Sequence, residues 1–213
     1  TFATLPFVGV VPALMDENGI ELEGNSVEGR LCIKFPWPSM ARTIWGNHQR
    51  YKETYFSAYD NMYFTGDGAL RDKNGHYRIT GRVDDVIIVS GHNLGTAPIE
   101  DAINEHPAVS ESAIVGYPHD IKGSALYGYV TLKNANDSSE TLKAEINQLI
   151  SKQIGPIAKL NKIQFTSGLP KTRSGKIMRR ILRKIASKDT SNLGDISTLL
   201  NPEVVETIMK NSQ

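Results

Sequence analysis

A single cysteine, Cys32, stands among the 213 residues. One thiol cannot close an internal disulfide, so a stapled secreted scaffold is excluded, and a reducing, cytoplasmic setting is the expectation. No apolar run approaches the roughly 18 residues a membrane-spanning helix needs, so no membrane partner is expected. The opening, Thr1 to Pro6, carries neither an initiator methionine nor a basic-then-apolar leader, which suits a fragment or a processed product. Internal repeats and low-complexity tracts are missing too. Net charge is also nearly absent, at +1, which removes any global pull toward nucleic acid. One local lack stands against that balance. From Lys171 to Lys188 there is no acidic residue, against eight basic ones: Lys171, Arg173, Lys176, Arg179, Arg180, Arg183, Lys184 and Lys188.

What is present can build a core. Hydrophobic residues make up 39% and charged residues 22%, so a packed globular core is expected rather than disorder. Up to residue 83 the chain reads as a small β-rich region. Val8–Val11 and Gly29–Ile33 are strand candidates, and Asn18-Gly19 and Asn74-Gly75 are hairpin turns. The second turn leads into an alternating strand, His76–Thr80. Beyond Arg82 the pattern changes to a compact α+β region with a mixed sheet and about three helices. Val86–Val89 reads as a strand covered on both faces. A helix capped by Thr96 follows, with Pro98 in its first turn and Glu100 and Asp101 favouring its amino-terminal dipole. Ser112–Val115 and Tyr127–Leu132 are strands. Leu142, Ile146, Leu149 and Ile150 stripe a second helix, which Gly155-Pro156 ends. Ile163–Phe165 is a short strand, and Ile177, Ile181, Leu182 and Ile185 stripe a third helix. The boundary falls at Arg82–Asp85, giving regions 1–83 and 84–213.

The most specific segment runs from Pro170 to Arg180, Pro-Lys-Thr-Arg-Ser-Gly-Lys-Ile-Met-Arg-Arg. It reads as a polar loop entering a helix near Lys176, where helix-start amides and an ammonium would form an anion site. A basic helix face turned to solvent has the same composition. A Walker A loop is excluded: six residues rather than four lie between Gly168 and Gly175, and Ile177 follows the lysine. Two more segments carry chemistry. Tyr63-Phe64-Thr65-Gly66-Asp67 ends in a carboxylate able to accept from both hydroxyls of a ribose. Ile79-Thr80-Gly81-Arg82-Val83-Asp84-Asp85 offers a planar guanidinium for phosphate. A turn Asp and a surface Arg–Asp pair are the plainer readings of these two.

Together and in this order the three segments resemble the acyl-adenylating enzymes, and the lysine loop is most similar to that of AMP-forming acetyl-CoA synthetases. The resemblance covers essentially the whole chain and makes it the last third of the family's length. It implies an end of the large amino-terminal domain to residue 83, then a small mobile carboxyl-terminal domain. It implies ATP/AMP, coenzyme A and Mg²⁺ as cofactors and acetate as substrate. Lys176 is implied as the adenylation lysine, Asp67 and Arg82 as nucleotide contacts, and Asp84 as the hinge. Ser90 and Gly91 would approach coenzyme A, and a metal would sit at Asn104, His106 and Val109. A lysine acetyltransferase and deacetylase acting on Lys176 are implied partners, with Arg173, Arg179 and Arg180 as a docking cluster. Two positions depart from the family pattern: Asn93 and Ser151 stand where arginines are expected, Lys152 being the neighbour that could substitute for the second. The resemblance places the acyl pocket upstream of Thr1, so a propionyl-CoA synthetase fits as well. A non-catalytic module binding coenzyme A or a partner is the reading from another class. The chain alone is expected to lack ligase activity.

Overall fold

The computed structural model describes residues 2–212. Two compact units divide between Asp84 and Asp85.

The first unit is a four-stranded antiparallel sheet in the order β1 (Pro12–Met15), β2 (Val27–Ile33), β3 (Tyr63–Arg71), β4 (Tyr77–Arg82). Its strands alternate as a sheet with two covered faces must. Ala13, Met15 and Cys32 pack with Tyr59 on one side, and Leu14, Ala69 and Tyr77 on the other. Burial pushes the Cys32 thiol up to about 11, so it is an inert core residue. The β3–β4 hairpin forms at the expected Asn-Gly turn, where Asp72 Oδ1 accepts from Asn74 N and His76 N, both at 2.8 Å. Val8–Val11 is not a strand: Val8 and Gly9 form a turn, Val8 is 92% exposed, and pairing begins only at Pro12. A helix absent from the sequence reading, α1 (His48–Tyr55), crosses between β2 and β3, with Asn47 capping Arg50 N at 3.0 Å.

The second unit is a layered α+β fold on a five-stranded mixed sheet. Its strands are β5 (Ile87–Val89), β6 (His92–Leu94), β7 (Val109–His119), β8 (Gly123–Leu132) and β9 (Lys162–Thr166). β8 pairs antiparallel with β7 along its length, touches β5 at Gly123, and carries β9 parallel beside Tyr127–Thr131. Alternation sorts the core. Ile114, Leu126 and Val130 face α2 (Thr96–Asn104) and α3 (Glu140–Gln153). Ala113, Val115, Tyr127 and Tyr129 face α4 (Arg179–Ala186) and α5 (Glu203–Lys210). Gly128 keeps the first face flat, since a Cβ there would lie 2.5 Å from Leu160 Cδ1. The two stacked tyrosines on the second face keep their hydroxyls bonded, Tyr127 to Gln164 Oε1 at 2.7 Å and Tyr129 to the Leu182 carbonyl at 3.2 Å.

Three expectations change here. β5 is covered on one side only: Ile87 and Val89 are buried, while Val86 and Ile88 are exposed. Gly95, not Thr96, occupies the cap of α2, and no side chain caps it. The second unit holds four α-helices among its described residues, because Val204, Val205 and Ile208 bury a face of α5 that had gone unread.

Candidate functional site

In the first unit, Asp67 lies inside β3 and faces Arg82 across the β3–β4 ladder. Gly66 (φ +80) makes the approach possible: a Cβ there would meet Arg82 Nη1 at 2.7 Å, so the guanidinium lies over bare backbone. Arg82 Nε donates to Asp84 Oδ1 at 2.9 Å, and Nη1 stands 3.7 Å from Asp67 Oδ1 and 3.4 Å from the Thr65 carbonyl. Burial raises the Asp67 carboxyl above its ordinary value, Arg82 pulling it back and Asp84 pushing it further up. The structure thus gathers Asp67, Arg82 and Asp84 into one half-open cluster. Asp84 is the last residue of its unit and its side chain is exposed.

In the second unit, Lys176 sits on a tight loop rather than at a helix start. Thr172 organises that loop. Its N donates to the Lys176 carbonyl at 2.8 Å, its carbonyl accepts from Gly175 N at 2.8 Å, and its Oγ1 accepts from Lys176 N at 3.1 Å. Gly175 (φ +83) supplies the left-handed turn residue. These bonds satisfy the amides that a helix start would have left open, and α4 begins only at Arg179. The site is therefore a projecting ammonium and not an amide-lined anion nest. Lys176 is exposed, with no ion-pair partner among the described residues of its own unit.

Ser90 (φ +49) and Gly91 (φ +83) form the two-residue turn between β5 and β6, the pairing of left-handed residues that matches strand twist. Nothing lies within 4 Å of a Cβ placed on Gly91, and Ser90 N donates to the Lys122 carbonyl at 3.0 Å. Asn93 follows on β6, exposed. On α3, Ser151 turns its hydroxyl inward, where it is buried without a partner, and Lys152 is exposed.

Asn104, His106 and Val109 meet at the corner between α2 and β7. Both His106 ring nitrogens are engaged: Nδ1 accepts from Ala108 N at 3.3 Å, and Nε2 lies 3.4 Å from Glu145 Oε2. Asn104 Oδ1 accepts from Ser112 Oγ at 2.9 Å. Magnesium requires an octahedral oxygen shell. The resemblance implies two backbone carbonyls and the His106 ring as ligands at this corner, with water completing the shell. No cluster of three or more His, Cys, Asp or Glu suited to a metal occurs among the described residues.

The basic run also resolves into unlike residues. Arg180 is exposed, but Arg179 is turned inward onto Glu100, with Nη2 2.6 Å from Oε2 and Nε 3.3 Å from Oε1. Glu100 is correspondingly no helix-dipole acid at the surface: it is buried and also accepts from Ile114 N at 2.8 Å. Sequence reading missed this pair and a second one, Arg183 to Asp85 at 2.5 Å. The available signal was the spacing: two arginines four apart on a helix share one face.

Residues 98–176 match the family model for the AMP-binding enzyme C-terminal domain. The chain is 60% identical over 208 residues to the acetyl-coenzyme A synthetase of Alkalilimnicola ehrlichii, covering 98% of this chain and 32% of that protein. It is 57% identical over 211 residues to that of Escherichia coli, covering 99% of this chain and again 32% of the relative. The chain thus spans about a third of the length of the curated relatives it matches. Among solved structures, acetoacetyl-CoA synthetase from Streptomyces lividans superposes with a TM-score of 0.82 at 21% identity, over 97% of this chain and 31% of that one. That likeness is one of fold. An anthranilate CoA ligase in complex with anthranoyl-AMP gives 0.77 at 27% identity, over 88% of this chain and 35% of that one.

Proposed function

From a chain similar, over nearly its whole length, to the carboxyl-terminal third of acetyl-coenzyme A synthetases, we propose that it supplies the nucleotide contact, hinge and catalytic lysine of an AMP-forming acetate–CoA ligase. Acetate attacks the α-phosphorus of ATP, giving acetyl-adenylate and pyrophosphate. The thiol of coenzyme A then attacks the acetyl carbonyl, forming the thioester and releasing AMP. The observation that carries this reading is Lys176: a cation held out on an internally bonded loop, unclaimed within its unit. Such a charge can be brought to a developing phosphoryl anion and withdrawn again.

Residues to 83 are the end of the large nucleotide-binding domain in this proposal, and residues 84–213 are the small domain that turns about Asp84. Asp67 accepts from the ribose hydroxyls and Arg82 donates to phosphate through its planar fork. The open Ser90–Gly91 turn admits the pantetheine tail. Coenzyme A binding draws on the uncharged Asn93, with Lys152 near Ser151 as the available cation. Magnesium accompanies the phosphates of ATP, and the corner at Asn104, His106 and Val109 would hold a metal through two backbone carbonyls and the His106 ring. Lys176 is also the residue an acetyltransferase would silence and a deacetylase restore, since acylation removes its charge. Arg179, committed to Glu100, is withdrawn from the docking cluster, leaving Arg173 and Arg180. A reducing, cytoplasmic setting suits a protein whose only cysteine is free and buried.

The test is pyrophosphate exchange into ATP by the full-length protein, with acetate and with propionate, alongside acetyl-CoA formation. Exchange should depend on acetate, and residues 1–213 alone should form no acetyl-CoA. Exchange dependent on propionate alone would move the assignment to that acid, and exchange with neither acid would overturn it.

A further inference from the structure

The lysine loop is anchored by more than its own hydrogen bonds. Met178 N donates to the Pro170 carbonyl at 2.8 Å, closing the loop's base where α4 begins. Lys171 Nζ lies 2.6 Å from Glu111 Oε2 on β7. At the first residue of α4, Arg179 clasps Glu100 of α2. One turn later, Arg183 Nη2 meets Asp85 Oδ1 at 2.5 Å. Asp85 is the first residue of the second unit, and its side chain is only 14% exposed while that of Arg183 is 43% exposed. Arg183, the more exposed member, is the ion-pair partner of Asp85 among the described residues, and water reaches the pair from its side.

We propose that the Arg183–Asp85 pair, backed by Arg179–Glu100, is a positioning device for Lys176. It fastens the helix that follows the lysine loop to the residue at which the unit begins, so rotation there is delivered to the loop without slack. This rests on the function proposed above, in which Lys176 acts in adenylate formation alone. Ion pairs as exposed as Arg183 contribute little stability, so its loss should be felt in lysine placement rather than folding. Displacement of a reacting group by about 1 Å can lower a rate roughly a hundredfold.

The experiment uses the full-length protein carrying Asp85→Asn, Arg183→Gln, or both. Adenylate formation, thioester formation from supplied acetyl-adenylate, and the melting temperature are measured for each. Adenylate formation should fall about tenfold to a hundredfold, with thioester formation within about twofold of wild type and melting little moved. The double variant should be no slower than either single one, because removing one partner already breaks the pair. Arg183→Gln is the independent arm, lying 98 residues from Asp85 in sequence and so leaving the backbone at Asp84 untouched. Equal loss in both half-reactions, loss that follows melting, or no loss at all would overturn the inference. Lys176→Ala run in parallel separates the two ideas. If it fails to divide the half-reactions, the proposed function falls. If it divides them and Arg183→Gln does not, only the positioning role falls.

Discussion

Each unit holds an arginine against carboxylates, and their surroundings set them apart. Arg82, between Asp67 and Asp84, has a side chain 51% exposed and Asp84 is 70% exposed. Arg179 and Glu100 are 25% and 11% exposed, with a backbone amide completing the carboxylate's bonds. The first cluster loses little when a ligand replaces one of its contacts, because water already competes for them. The second cannot exchange partners without leaving a charge stranded in the core. Burial is what separates an exposed cluster that a ligand can reach from a pair that holds the fold.

The largest effect expected from that contrast is on stability. Arg179→Ala should destabilise the protein by about 3–5 kcal/mol, as loss of one member of a buried pair does, read from denaturant unfolding. A loss below about 1 kcal/mol would place this pair with the surface ones.

Proton linkage sharpens the same point. Burial pushes the Glu100 carboxyl above its ordinary value of 4.5, and Arg179 and the Ile114 amide pull it back without cancelling. The folded protein then holds this proton to higher pH than the unfolded chain does. Glu100's contribution is fully present below 4.5 and is lost as pH rises through its folded value. Glu100→Gln should remove that downward component from the stability profile, and a profile that keeps its slope would contradict it.

The smallest stability effect belongs to Arg82. Arg82→Ala should change unfolding by less than about 1 kcal/mol while weakening nucleotide binding by the full-length protein roughly tenfold. Isothermal calorimetry with AMP reads the second quantity. Unchanged affinity would reduce the first cluster to an ordinary hairpin pair.

Much of this was legible in order along the chain but not in depth. The Asp72–Gly75 turn announced itself because Asp72 and an Asn-Gly pair bond locally. The start of the third helix was misplaced by three residues because Thr172 takes up the amides near Lys176, a contact between side chain and backbone that periodicity does not register. Glu100 and Arg179 are 79 residues apart, so Glu100 read as a first-turn acid and Arg179 as one member of a basic run. Helix α5 escaped because its apolar face spans only Val204, Val205 and Ile208, too short a stripe to stand out. Cys32, by contrast, needed no depth: one thiol excludes a disulfide wherever it lies.

The most direct measurement is the pair of half-reactions catalysed by full-length Lys176→Ala. Adenylate formation should fall by about 10²–10³, while conversion of supplied acetyl-adenylate to acetyl-CoA proceeds at the wild-type rate. Equal slowing of both steps would contradict a lysine that serves one reaction and is carried away from the other.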